Sequence, residues 1–271
     1  MIPKELCHYT KRDIALEKIL FDGKIRLGLL GFTNDPKESK WNPIAALYPE
    51  NYMPKHEEII QLGDEAQRVS KEEWKVLCMS QHFPVKKYKE ETKNTVISKF
   101  RHGYSRPRMW AQYAENHSGV CLIFDGKKLH ANIESALNGK CKIFSGSVTY
   151  KNYGAIVSEL FDYSDILRYG LSEGVRAHYY KHYKHYFLSK YPDWKNESEY
   201  RWLVHSPSNV PEFVNIEGAL KAVVIGSDFP KVYETAMIEV CKKLKASIGR
   251  MNWSNGMPSF DLKGIYDPNN A

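Results

Sequence analysis

The chain lacks most of the signatures that name an enzyme at sight. Its 271 residues contain no Walker loop, no Gly-rich dinucleotide fingerprint, no nucleophile elbow and no H-E-x-x-H. Phosphate-loop nucleotide binding, elbow-serine acyl transfer and helix-borne zinc hydrolysis are therefore excluded as expectations. Five cysteines (Cys7, Cys78, Cys121, Cys141, Cys241) are scattered, odd in number and never spaced as C-x-x-C. Neither a zinc site nor a disulfide framework is expected from them, and Cys78 and Cys121 read as small buried hydrophobes. No apolar run approaches the ~18 residues a membrane span needs. The start "MIPKELCHYTKRD" has no apolar signal core, so a cytoplasmic chain with no membrane partner is expected. Repeats, low-complexity tracts and Pro/Gly/Ser linkers are missing too. One domain over 1–271 is the expectation, with helical insertions at about 50–75 and 155–190.

What is present is ordinary globular composition, with 42% apolar and 26% charged residues. Lys and Arg outnumber Asp and Glu by 39 to 32, a net charge of +7. That excess suits an anionic ligand, a nucleotide or nucleic acid, without demanding one. "LCHYT" reads as a first strand and "RDIALEKILFDG" as a helix closed by Gly23, its apolar positions Ile14, Leu16, Ile19 and Leu20 at helical spacing. "KIRLGLLGFTNDPKESKW" reads as a strand, then a turn at Asn34-Asp35-Pro36. A polar helix is expected over 56–70, a buried strand at "WKVLCMSQ" and a charged loop from Pro84 to about His102. Pro107 should open a helix that Gly119 ends. Strands follow at "GVCLIFD", "KIFSGSVTY", "EYRWLVH" and "KAVVIGSD", with helices over 155–190 and at "YETAMIEVCKKLKAS" and a closing hairpin from "RMNWS" to "GIY". Helices interrupt strands without strict alternation, so the class is α+β with a mixed, split sheet.

The stretch "DWKNESEYRWL" places Glu197 and Glu199 two apart, where a strand would aim both carboxylates one way. Like charges on one face repel, so the pairing implies something cationic, or becoming cationic, between them. Tyr200, Trp202 and Val204 read as the buried face, Glu199 and Arg201 as the other. Arg201 could hold a phosphate or neutralise Glu199. Asn34, Asp35 and Glu38 read as turn formers, Trp110 and Tyr113 as one packed helix face, and Ser80 as a donor at a strand end. In "AHYYKHYKHYFLSK", His178, His182 and His185 have a spacing that could gather a metal. Flanking lysines and a tyrosine stripe favour a solvated basic face instead, one that could lie along nucleic acid.

Four pieces in order, "CHYT", "FTNDPKE", "MWAQYAENHSGVCLIFD" and "KYPDWKNESEYRWLV", resemble the bacterial domain-of-unknown-function family 2971, over about residues 6–228. Its Lys-x-x-x-Trp-x-x-Glu-x-Glu-x-Arg block falls here on Lys190, Trp194, Glu197, Glu199 and Arg201. The opening "CHYTKRDIALEKILFDGKIRL" is also similar to the start of ADP-ribosyltransferases of the diphtheria-toxin-like branch. That resemblance implies an ADP-ribosyltransferase-like domain using NAD. His8 would grip the ribose, with Tyr9, Thr10, Ser80, Trp110, Tyr113 and Arg201 lining the NAD site. Either Tyr113 or Tyr9 would stack on nicotinamide. Glu199 would stabilise an oxocarbenium-like centre, with Glu197 beside it to serve the acceptor. The acceptor would be a protein or nucleic acid, DNA or RNA, in anti-phage defence or toxin action. A nucleic-acid-binding or nuclease-like protein without NAD chemistry is the alternative.

Overall fold

The computed structural model describes residues 1–40, 45–83, 101–152 and 159–268, with the side chains of 261–265 excepted. Most of the charged loop expected after Pro84 lies outside these residues. Ten of the described strands form one mixed sheet: β1 (Glu5–Thr10), β2 (Lys24–Leu29), β3 (Trp74–Gln81), β4 (Val120–Asp125), β5 (Lys142–Ser147), β6 (Glu199–His205), β7 (Glu212–Asn215), β8 (Leu220–Ile225), β9 (Ser247–Ser254) and β10 (Met257–Tyr266). The main path runs β7-β2-β3-β1-β4-β8-β9-β10, while β6 pairs with β3 and β5 with β6. Pairing is antiparallel except between β8 and β9. The mixed α+β architecture therefore holds.

The sheet forks at β3. Along one edge β3 is paired by β6 from Trp74 to Ser80. Along the other, β2 takes Lys75 and Val76 while β1 takes Ser80 and Gln81. Leu77 to Met79 are left between them.

Alternation sorts the side chains onto two faces. Leu6, Leu77, Met79, Leu122, Phe124, Tyr200, Trp202 and Val204 face one core. The helices over it are a π-helix (Ile14–Leu20), α4 (Gly126–Leu137) and α7 (Glu234–Lys243). The π-helix shifts the expected stripe: Ala15, Ile19 and Leu20 are buried, whereas Ile14 is exposed. α4 stands where no helix is expected, and Asp125 caps it by accepting from the Lys127 and Lys128 amides at 3.0 and 3.1 Å. Its Leu129, Ile133 and Leu137 recur every four residues and are all buried.

The other face is covered in two parts. Trp74, Val76 and Leu203 pack beneath α2 (His56–Arg68), α5 (Tyr163–Tyr169) and α6 (Leu171–Phe187). Cys7, Tyr9, Cys121 and Ile123 pack beneath α3 (Pro107–Tyr113). Gly119 does not end α3, which stops at Tyr113 and is followed by left-handed residues 115–117. Glycine is needed at 119 because a Cβ there would lie 2.5 Å from the Thr10 carbonyl oxygen.

α6 corrects the expected solvated face. His178 is buried, stacked on Phe161 at 3.9 Å and held at Nε2 by the Tyr186 hydroxyl at 2.9 Å. Tyr179 is fully buried and donates to the Ala66 carbonyl. Of the basic residues in that stripe Lys181 and Lys184 stay exposed, while His182 and His185 are half-buried, 3.8 and 3.7 Å from Glu159. Packing against α2 and the sheet consumes the stripe that the pattern assigned to solvent.

Candidate functional site

Glu197 and Glu199 do come together, but by a different route from the strand pleat. Glu197 ends a 3₁₀ turn (Pro192–Glu197), and Ser198 takes a left-handed φ of 43° before β6 begins at Glu199. The bend turns both carboxylates toward Lys190, whose Nζ donates to Glu197 Oε2 at 2.9 Å and lies 3.0 Å from Glu199 Oε2. The cation implied by the pairing is therefore this chain's own lysine.

The network extends to both sides. Arg201, fully buried, donates from Nε to Glu199 Oε1 at 2.8 Å and from Nη2 to Oε2 at 3.1 Å. Its Nη1 donates to Glu38 and to the Phe187 carbonyl. Glu38 reaches it from α1 (Pro36–Ser39), a short helix capped by Asp35 and started by Pro36 at its first turn. On the solvent side the Tyr113 hydroxyl donates to Glu197 Oε1 at 2.5 Å and accepts from Asn34 Nδ2 at 2.8 Å. Asn34 and Glu38 thus serve the site rather than only the turn. Arg106 braces the bend from beneath, donating to the carbonyls of Glu197 and Gln81, and the Tyr150 hydroxyl accepts the Glu199 amide at 2.9 Å.

Charge states follow from these contacts. Burial pushes the Glu199 carboxyl up, but the charges of Arg201 and Lys190 outweigh it and hold the pKa at about 2. Burial likewise disfavours the Lys190 ammonium, and Glu199, Glu38 and Glu197 more than restore it. Asp35 moves the other way, raised by burial and by Glu38. Burial raises the Tyr113 phenol, and Glu197 adds to the rise, so it stays a donor.

A cleft of about 390 Å³ adjoins the network at Asp35 and Trp194, with Pro36, Lys37, Arg108, Tyr191 and Asp193 completing its wall. Lys190 sits under the Trp194 ring, 5.0 Å from its centroid. Arg108 is anchored by a hydrogen bond to the Asp193 carbonyl at 3.1 Å, and Lys37 by one to the Ser189 carbonyl at 2.8 Å. Among the described residues, no group of three or more His, Cys, Asp or Glu side chains is placed to hold a metal ion.

The other expected ligand residues are distributed differently. Ser80 is buried in register between Cys7 and Glu199. Tyr9 is buried, its hydroxyl given to the Gly103 carbonyl at 2.7 Å and its ring meeting Trp110 edge-on at 5.3 Å. Trp110 is fully buried and donates to the Tyr104 carbonyl, while Thr10 is buried beside Gly119. These three pack the molecule. His8 corrects the expected pairing with Glu199. It alternates against Cys7 and Tyr9, so it leaves β1 on the face opposite Glu199, and its Nδ1 meets the Cys78 carbonyl at 3.1 Å inside the fork of the sheet. Burial lowers its pKa, so the neutral ring closes the unpaired stretch of β3. Tyr113 and Arg201 remain in the site, joined by Glu38, Asn34 and Lys190. Lys190 carried a signal in the Lys-x-x-x-Trp spacing. Glu38 stood out only as part of the "FTNDPKE" turn, and nothing in that motif pointed to Arg201, 163 residues away.

A family model described as a protein of unknown function (DUF2971) matches residues 109–202. This is narrower than the span expected from 6 to 228. It takes in Tyr113, Lys190, Glu197, Glu199 and Arg201 but not His8 or the Asn34–Glu38 turn. No curated protein and no solved structure matches the chain. Among the described residues no helix is long and apolar enough to cross a membrane.

Proposed function

We propose that the protein is an enzyme acting on a nucleotide-type substrate: an NAD-dependent ADP-ribosyltransferase-like protein whose acceptor is a macromolecule. Glu197, rather than Glu199, is its working carboxylate. One observation carries the reading. Glu197 is the acid that links the buried ion network to the Tyr113–Asn34 pair, beside a cleft walled by an indole and a guanidinium. Both acids have both oxygens engaged, but Glu199 is gripped by two buried cations, Arg201 and Lys190, and holds the arrangement in place. Glu197 instead meets one cation, Lys190, and the Tyr113 hydroxyl on the solvent side.

Breaking an N-glycosidic bond develops positive charge on the ribose, which a fixed carboxylate in a low-dielectric pocket stabilises. Trp194 offers a face for a planar base, and Arg108 a cation for a phosphate. The Tyr113 hydroxyl donates to Glu197 and aims it. His8 has no part in this reading, because its side chain serves the fork on the other face. Of the two supports for the nucleic-acid alternative, the net charge of +7 and the His/Lys/Tyr helix, the second weakens with the burial of His178, Tyr179 and Tyr186.

The test is NAD titration by calorimetry, with nicotinamide release measured in the presence of protein, RNA or DNA acceptors. Glu197→Gln should keep NAD affinity within a few-fold and lose about a hundred- to a thousandfold in turnover, the usual effect of one preorganised electrostatic group. Wild-type protein that neither binds NAD nor releases nicotinamide overturns the proposal.

A further inference from the structure

We propose that a second cleft, at the opposite end of β6 from Glu199, binds a phosphate-bearing small molecule through Lys140, Lys142 and Arg176. It encloses about 370 Å³, enough for a phosphate and a small body such as a pentose. Six residue steps of strand separate Glu199 from His205, roughly 20 Å at the usual rise. This site is therefore independent of the Glu197 reading.

Three elements converge on it. Lys142 opens β5 and is the cross-strand partner of His205, the last residue of β6. Tyr180, one turn beyond Arg176 on α6, puts its hydroxyl 2.9 Å from His205 Nδ1. The Lys142 ammonium stands 3.6 Å from the centre of the Tyr180 ring. Lys140 completes the rim, and both lysines are exposed.

The balance of charge points to an anion. Glu73 is 1% exposed and turns its carboxylate inward, accepting from Arg176 Nε and Nη2 at 2.8 and 2.9 Å, meeting Arg68 at 2.8 Å and His205 Nε2 at 2.8 Å. It fixes the guanidinium plane of Arg176 but does not screen the rim. Lys75 is hydrogen-bonded to three backbone carbonyls, and the Glu212 and Glu73 carboxylates act on its charge, so the cationic excess of the cleft rests on Lys140 and Lys142. At the mouth, Glu173 ties Arg176 Nη1 from a largely exposed position. Among the described residues neither Lys140 nor Lys142 is ion-paired. Two ammonium groups and one oriented guanidinium are the donors a phosphomonoester dianion requires, while the Tyr180 hydroxyl gives its proton to His205 Nδ1 and its ring holds the Lys142 ammonium over the cleft.

The experiment is calorimetric titration with ribose 5-phosphate, with unphosphorylated ribose and an oligothymidylate lacking a terminal phosphate as comparison arms. Lys142 and Lys140 are exposed, so their alanine variants should keep the wild-type melting temperature. The expected result is saturable binding of ribose 5-phosphate, none of ribose, and at least about a tenfold loss for Lys142→Ala, as for one charge-assisted hydrogen bond. The Lys140→Ala/Lys142→Ala pair should abolish it. Absence of saturable binding overturns the proposal, as does affinity unchanged by Lys142→Ala. So does oligothymidylate competing as well as the sugar phosphate, since that would make the surface a polynucleotide contact.

Discussion

Strand β6 carries a buried ion cluster at each end, on the same face and beneath the same helix, and the two are opposite in sign. At the Glu199 end a cation is the hub: Arg201 is gripped by Glu199 and Glu38, with Lys190 and Glu197 outside them. At the His205 end the hub is an anion: Glu73 is gripped by Arg68, Arg176 and His205. They also differ in access to water. Side chains in the Arg201 cluster are 0–8% exposed, whereas Arg68 and Arg176 are 39% and 19% exposed around Glu73. Ions removed from water gain little net energy from pairing, yet leaving one unpaired is expensive. The closed cluster therefore fixes shape, and the open one keeps cations within reach of an incoming anion.

The largest expected effect comes from breaking the closed cluster. Arg201→Met leaves Glu38 buried without its cation and Glu199 with Lys190 alone, a loss of about 3–5 kcal/mol. At about 2–4 °C per kcal/mol, calorimetric melting should fall by roughly 10 °C. A shift of only one or two degrees would show that water reaches those carboxylates, and the contrast between the two ends would collapse.

Glu73→Gln is the matching change at the open end. The amide keeps its shape and some hydrogen bonds, and the released guanidinium groups can turn toward water. A loss of about 1–3 kcal/mol is expected, clearly smaller than for Arg201→Met when both are measured by denaturant unfolding. Equal losses would mean that the exposed edges of Arg68 and Arg176 do not relieve them.

How much of this could be read from residues alone differs between the two ends. The strands "WKVLCMSQ" and "EYRWLVH" declared themselves because apolar runs of that length fit buried strands, and both stand where expected. The Glu197–Glu199 pair declared a cation by electrostatic necessity, and Lys190 supplies it seven residues upstream of Glu197. Glu38 was opaque, since its contact with Arg201 closes only after the chain has run through α6. The His205 end was opaque throughout. Glu73, Arg176 and His205 come from three segments whose local patterns announce a strand start, a helix and a strand end, and only tertiary pairing joins them. His8 misled because its position on a first strand suits two roles, and strand alternation, not residue type, decides between them.

The smallest expected effect separates the ends by pH. Both hubs' carboxylates are depressed. Burial raises Glu73, but hydrogen bonds from Arg176, His205 and Arg68 bring it to about 2, alongside Glu199 at about 2. A carboxyl depressed in the fold contributes stability that is present above its unfolded value near 4.5 and lost as pH falls toward 2, so both ends weaken together in that range. Between pH 6.5 and 4.5 they part, because only the Glu73 cluster contains a histidine. Burial lowers the pKa of His205, and the nearby Arg176 and Lys75 charges add to this against the pull of Glu73. Below 6.5 the unfolded chain takes a proton that the folded His205 refuses, so stability falls as pH falls. One such group contributes at most about 1.4 kcal/mol per pH unit. His8, His102 and His178 are also depressed by burial and share the wild-type slope. The difference between wild type and His205→Gln isolates one residue: unfolding free energies at pH 6.5, 5.5 and 4.5 should show a shallower slope in the variant. Parallel slopes for wild type and His205→Gln would mean that His205 is protonated against Glu73 in the folded protein, making that hub a paired ion cluster as complete as the one around Arg201.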